Sequence, residues 1–158
     1  MANTYTQIHI QVVFAVQNRQ AQIKDGWKVE LYKYITGIIQ NNGHKLLQIN
    51  GMPDHLHILI GLRPTQALSD LMKQVKQDSS LWINKKGFTK FKFAWQEGYG
   101  AFSYAKSEVP RVINYLQNQE QHHKKTTFME EYIDLLTEFD IDFNNQYIVN
   151  DITFTSRT

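Results

Sequence analysis

The order strand, helix, strand, strand, helix, strand predicts an α+β fold: a ferredoxin-like, RNA-recognition-type antiparallel sheet with helices on one face. Two observations carry this. Apolar residues alternate with period two in the segments read as strands, and recur every three or four residues in the segments read as helices. The turn chemistry between the second and third strands, Gly51-Met52-Pro53-Asp54, suits an antiparallel hairpin.

In residues Tyr5 to Val16, Ile8, Ile10, Val12 and Phe14 alternate with His9, Gln11 and Val13, as a half-buried first strand requires. Trp27, Leu31, Tyr34, Ile35, Ile38 and Ile39 then mark an amphipathic helix that stops at Asn41-Asn42-Gly43. His44 to Asn50 and His55 to Leu62 are the next two strands. Leu68, Leu71, Met72, Val75, Ser79, Trp82 and Ile83 mark a second helix ending near Lys85-Lys86-Gly87, with its lysines outward. Phe91 to Trp95 and Tyr99 to Tyr104 supply one or two further strands. One sheet face is thereby left open for a site.

A third helix is expected over 107–121, with Ser107 as N-cap, Glu108 at the positive helix end, Pro110 in the first turn and an apolar stripe of Val109, Val112, Ile113 and Leu116. A fourth helix runs from Phe128 to Phe139, followed by an acidic segment through Asn150 and a polar tail from Thr153 to Thr158. The expected organisation is one domain over 1–125 and a C-terminal helical extension with an acidic and polar tail over 126–158.

The chain has no cysteine, which excludes disulfides, thiolate zinc sites and thiol nucleophiles. Any metal must sit on imidazole, carboxylate, amide or phenol. No secretory leader is evident at MANTYTQIHI, and no segment has the length of a membrane span, so a cytoplasmic protein without membrane contact is expected. The net charge is only +2, but from Lys73 to Lys92 six lysines face one acid, Asp78, and from Glu130 to Asp151 seven acids occur without Lys or Arg. The basic stretch fits a polyanion partner, and equally a solvated helix face.

The strongest local signal is Asp54-His55-Leu56-His57-Ile58-Leu59-Ile60. Two residues apart on a strand, His55 and His57 project from one face while Leu56, Ile58 and Ile60 project from the other. Side-by-side imidazoles can hold a divalent ion if a third ligand arrives; a pair of hydrogen-bonded surface histidines reads the same way. A second signal is the row Arg111, Tyr115 and Gln119 at successive i,i+4 positions. A guanidinium there can hold a phosphodiester, a phenol can attack phosphorus, and an amide oxygen can join a hard ion. A tyrosine bordering an apolar stripe is also ordinary packing.

Taken together, four motifs resemble the single-tyrosine HUH transposases of the IS-two-hundred-like insertion sequences. They are Met-Pro-Asp-His-Leu-His-Ile-Leu-Ile at 52–60, Leu-x-x-Leu-Met-Lys-x-x-Lys at 68–76, Trp-Gln-Glu-Gly-Tyr-Gly-Ala-Phe-Ser at 95–103 and Asn-Tyr-Leu-x-x-Gln at 114–119, and the resemblance spans residues 5–121. It implies that His55, His57 and Gln119 ligate Mg²⁺ or Mn²⁺ and that Tyr115 is the nucleophile, forming a 5′-phosphotyrosine and a free 3′-OH. It also implies single-stranded DNA with a hairpin at the element ends as substrate, and a homodimer in which the tyrosine helix of one subunit can complete the partner's site. When bound to DNA such a protein would be nucleoid-associated. Arg111, Lys73, Lys76, Lys85 and Lys86 are the expected DNA contacts. Residues 13–19 depart from the signature of some members, so no DNA contact is carried over there. The His122-His123-Lys124-Lys125 run is read as solvated residues at a helix end, and no chemistry is assigned to the helix after it. The alternative reading is a non-catalytic single-stranded nucleic-acid-binding domain of the same fold.

Overall fold

The computed structural model describes residues 3–143. Its elements are β1 (His9–Ala15), α1 (Asp25–Asn41), β2 (Lys45–Met52), β3 (His55–Gly61), α2 (Leu68–Lys86), β4 (Gly100–Tyr104), α3 (Val109–Gln117), α4 (Gln119–His122) and α5 (Phe128–Glu138). The strands form one antiparallel sheet in the order β2-β3-β1-β4, the order of the split βαβ unit. The α+β fold is therefore the one the sequence predicts. Of the segments read as a fourth strand or pair of strands, only Gly100–Tyr104 forms one, and Trp95 makes an isolated bridge to Val16.

Strand alternation divides the core in two. Val12, Phe14, Leu56, Ile58 and Ile60 point towards α1 and α2 and pack with Leu31, Ile35, Leu71, Val75 and Ile83. On the other face Val13, Ala15 and Phe102 pack against Phe128, Leu135 and Leu136 of α5, while Leu59 packs against Val112 and Leu116 of α3. The face expected to stay open is thus covered. The cause lies in β1 and the residue after it, where Val12 to Val16 is apolar at every position and all five residues are buried, so both faces of this strand need a cover.

The helix expected over 107–121 is interrupted. Lys106–Glu108 is a 3-10 turn, which places Ser107 within that turn and not at the helix N-cap; Glu108 holds that position. At the other end Asn118 departs from helical geometry at φ −101 and ψ 24, and its side-chain amide donates to the Asn114 carbonyl in competition with the backbone ladder. Gln119 then opens the single turn of α4. Asn50 of β2 donates to the Leu116 carbonyl at 2.8 Å, satisfying a helix-end acceptor and tying α3 to the sheet. The α5 helix begins with a capping box between Thr127 and Glu130. The acidic segment beyond residue 143 and the polar tail lie outside the described residues. Among the described residues, no helix is long and apolar enough to cross a membrane.

The β2–β3 hairpin that presents the histidines depends on Gly51. A Cβ there would stand 2.2 Å from the His55 carbonyl oxygen and 2.9 Å from Leu56 Cα, both backbone atoms. Gly51→Ala should therefore destabilise the protein by about 1–3 kcal/mol, the usual range for overpacking. Urea denaturation of the variant beside the native chain checks this.

Candidate metal and tyrosine site

His55 and His57 stand on β3 opposite Ala15 and Val13 of β1, and both are fully buried. Each ring is held by its Nδ1. His55 Nδ1 is 2.7 Å from Asp54 Oδ1, and the ring stacks on Phe128 with centroids 4.1 Å apart. His57 Nδ1 is 2.9 Å from the Gln11 amide nitrogen, and Gln11 Oε1 in turn accepts from the Tyr104 hydroxyl at 3.0 Å. The two Nε2 atoms are thereby aimed away from the sheet and into the space under α4 and α5.

At the centre of that space is Glu131 of α5, only 2% exposed. Its Oε1 lies 2.9 Å from His57 Nε2, 3.1 Å from His123 Nε2 and 3.3 Å from His55 Nε2. Its Oε2 accepts from the Tyr115 hydroxyl and from the Gln119 amide at 3.0 Å, and lies 3.4 Å from His122 Nε2. Gln119 is fully buried, with its Oε1 3.2 Å from His55 Nε2. The ligand atoms of His55, His57, His123 and Glu131 all lie within 4.8 Å of one another, so the group could hold a metal ion.

The structure thus brings Tyr115, His55, His57 and Gln119 together within one chain. Arg111 sits on the rim, paired with Glu108 at 2.7 Å, and borders a cleft of about 150 Å³ lined by Gln11, Tyr104, Tyr115 and Glu131. The four lysines are elsewhere, on α2, across the sheet from the histidine face. Lys73, Lys85 and Lys86 are exposed there, whereas the Lys76 ammonium donates to the carbonyls of Gln96 at 2.6 Å and Gly98 at 2.8 Å.

Two residues escaped the sequence reading. His123, read as a solvated helix-end residue, has a side chain only 6% exposed, because its Nδ1 is anchored 2.7 Å from the Thr126 carbonyl and its Nε2 turns inward. Glu131 carried no assignment at all. The available signal was its spacing: three residues after Phe128 and four before Leu135, it lies on the buried stripe of its helix, where an unpaired carboxylate is costly.

Electrostatics follow from this crowding. Burial, the largest influence, works against a charged Glu131, but His57 and the bonds from His123, His55 and His57 outweigh it and hold the carboxyl far below its ordinary range. For His55 burial again opposes charge and is outweighed by Asp54 and Glu131, which lift its pKa to about 9. Burial prevails at His57 and lowers its pKa despite Glu131. Burial first, and the Glu131 charge second, raise the Tyr115 pKa and keep its phenol protonated.

The chain matches the family model described as "Transposase IS200 like" over residues 4–119. It belongs to that family. Among solved structures, the transposase resembles a protein of Deinococcus radiodurans R1 classed as a transposase, at 19% identity and a TM-score of 0.59 over 75% of this chain and 95% of that one. It also resembles a REP-associated tyrosine transposase bound to a REP hairpin, at 13% identity and a TM-score of 0.59 over 78% of this chain and 73% of that one. At these identities the likeness is one of fold. No curated protein matched the transposase.

The raised pKa of His55 links stability to pH in metal-free protein. Its contribution is fully present below the ordinary value of 6.5 and is lost as pH rises through about 9. Thermal unfolding with a chelator present should show a midpoint that falls between about pH 6.5 and pH 9. Asp54→Asn, which removes the carboxylate bonded to His55, should flatten that fall.

Proposed function

We propose that this transposase cuts and rejoins single-stranded DNA at insertion-sequence ends, with Tyr115 as nucleophile and with His55, His57 and Gln119 as ligands of Mg²⁺ or Mn²⁺. The observation that carries the reading is convergence: the Tyr115 hydroxyl and both β3 histidines meet at the same buried carboxylate.

The donor set fits a divalent ion. Asp54 accepts from His55 Nδ1, so in the neutral ring the Nε2 lone pair is free to ligate, which is the usual outer-partner arrangement for a metal-binding histidine. When bound, the ion would neutralise charge on the scissile phosphate as the phenol attacks. The oxygen of Tyr115 would form the new bond to phosphorus as the bond to the 3′-oxygen breaks. Glu131, accepting the phenol hydrogen bond, would orient the hydroxyl for attack, and the proton that Tyr115 gives up would pass to the leaving oxygen, which becomes the 3′-OH. Attack of a second 3′-OH on the phosphotyrosine would restore a phosphodiester and free Tyr115 without ATP.

Arg111, at the cleft beside Tyr115, would hold a backbone phosphate. The α2 lysines would bind flanking strand, and a hairpin at the element end is the favoured substrate, supported by the hairpin bound to the structural neighbour. A homodimer with exchanged tyrosine helices is part of the family reading; the contact of Tyr115 with its own chain's site supports assembly in cis.

The test is to mix the protein with single-stranded oligonucleotides from both flanks of its gene, with Mn²⁺ or Mg²⁺, and to seek a covalent adduct on a denaturing gel and by peptide mass. An adduct on Tyr115 that needs metal and single strands is expected. Tyr115→Phe should abolish it while oligonucleotide binding stays within about twofold of native, and His57→Ala should lower cleavage by about a hundredfold or more, as for loss of a metal ligand. Binding with no adduct would favour the non-catalytic reading.

A further inference from the structure

Glu131 and His123 both lie beyond the residues matched by the family model. Both nevertheless stand in direct contact with the β3 histidines or with each other, and the hydrogen-bond roles there do not close without an added positive charge. The Thr126 carbonyl can only accept, so His123 Nδ1 carries a hydrogen; Asp54 makes the same demand of His55 Nδ1. In their neutral forms, both rings then turn a bare Nε2 lone pair towards Glu131 Oε1, at 3.1 Å and 3.3 Å. His55 Nε2 also faces the Gln119 oxygen, a second acceptor, at 3.2 Å. Four acceptor atoms from four side chains therefore converge in a buried space with one donor between them: the Gln11 amide nitrogen donates to His57 Nδ1, so the neutral His57 ring offers its Nε2–H to Oε1 at 2.9 Å, and the lone pairs of His55 and His123 stay unmatched. Such a cluster is costly unless protons or a cation stand within it.

The spacing fits a cation. Metal bonds of about 2.1 Å at roughly right angles put neighbouring ligand atoms about 3.0 Å apart. The three nitrogens lie 2.9, 3.1 and 3.3 Å from Oε1. Two of the three rings are also oriented through Nδ1 by a fixed acceptor, as metal-binding histidines are. The geometry points to Glu131 and His123 as ligands of the same ion as His55 and His57, in a three-imidazole, one-carboxylate shell that takes Mn²⁺ or a later transition ion in preference to Mg²⁺. Imidazole nitrogens favour those ions, whereas Mg²⁺ prefers oxygen and water. Gln119 Oε1 remains available as a fifth donor.

The inference rests on the metal reading above and extends it. Glu131 Oε2, the oxygen turned away from the imidazoles of His55, His57 and His123, is the one that accepts the Tyr115 hydroxyl. One carboxylate is thus ligand on one side and tyrosine latch on the other, and α5 is part of the catalytic centre.

The experiment is a Mn²⁺ titration of the full chain, with free Mn²⁺ counted by electron paramagnetic resonance, on the native protein and on Glu131→Gln, His123→Asn and His57→Ala, followed by competition with Mg²⁺. One Mn²⁺ per chain is expected, with binding weakened about tenfold or more in each variant. Displacement should need a large excess of Mg²⁺. If His57→Ala loses Mn²⁺ while Glu131→Gln and His123→Asn bind it as the native chain does, this shell is wrong and the simpler site stands. If Mg²⁺ competes on equal terms, the selectivity is wrong. If the native chain binds no Mn²⁺, both readings fall. Should Glu131→Gln not fold, amide exchange of the native chain decides: Phe128–Glu138 should gain protection on adding Mn²⁺, and unchanged or reduced protection overturns the proposal.

Discussion

A carboxylate buried to 2% exposure must be fully compensated, and the histidine face of this protein is organised around that demand. Glu131 meets it with partners from three parts of the chain: two imidazoles from β3, the phenol of α3, and the amide and imidazoles of α4 and the turn after it. The β3 pair is far in sequence from the others, whereas α3, α4 and the turn follow one another directly. The apolar contacts of Phe128, Leu135 and Leu136 with Val13, Ala15 and Phe102 bring α5 onto the sheet; the carboxylate fixes its register over the histidines.

The same arrangement explains why two histidines on one strand face behave differently. His55 has a carboxylate behind it and another in front, and is pushed towards the cation. His57 has only the neutral Gln11 amide behind it, and burial wins. Tyr115 shares the site but is held back, since burial and a nearby anion both favour its protonated form. Positive charge on the imidazole side of Glu131 offsets the second of these influences, which gives a physical reason for Tyr115 and the metal-competent group to share one carboxylate.

Much of this was legible in the sequence, for definite reasons. Period-two alternation placed His55 and His57 on one side of β3 and Leu56, Ile58 and Ile60 on the other, and the structure keeps that division. The helical spacing at Leu68 to Ile83 gave α2, and the motif resemblance gave the family. The break at Asn118 was not legible, because an asparagine side chain that competes with the helix ladder does so only in a suitable local geometry. Coverage of the second sheet face was visible in the unbroken apolar run Val12 to Val16, but the ferredoxin-like pattern argues for helices on one side only. Glu131 was hidden for a different reason: a carboxylate on a buried stripe signals a partner, and the partners are more than seventy residues away in the case of His55 and His57.

The central claim is that one divalent ion, the β3 histidines and Glu131 form a single centre next to Tyr115. Crystals of the full chain grown with Mn²⁺, measured for anomalous scattering near the manganese edge, test it directly. The account predicts one strong anomalous peak within about 2.0–2.4 Å of His55 Nε2, His57 Nε2 and a Glu131 oxygen. A peak bonded to the histidines with Glu131 turned away, or no peak between the imidazoles, would contradict it.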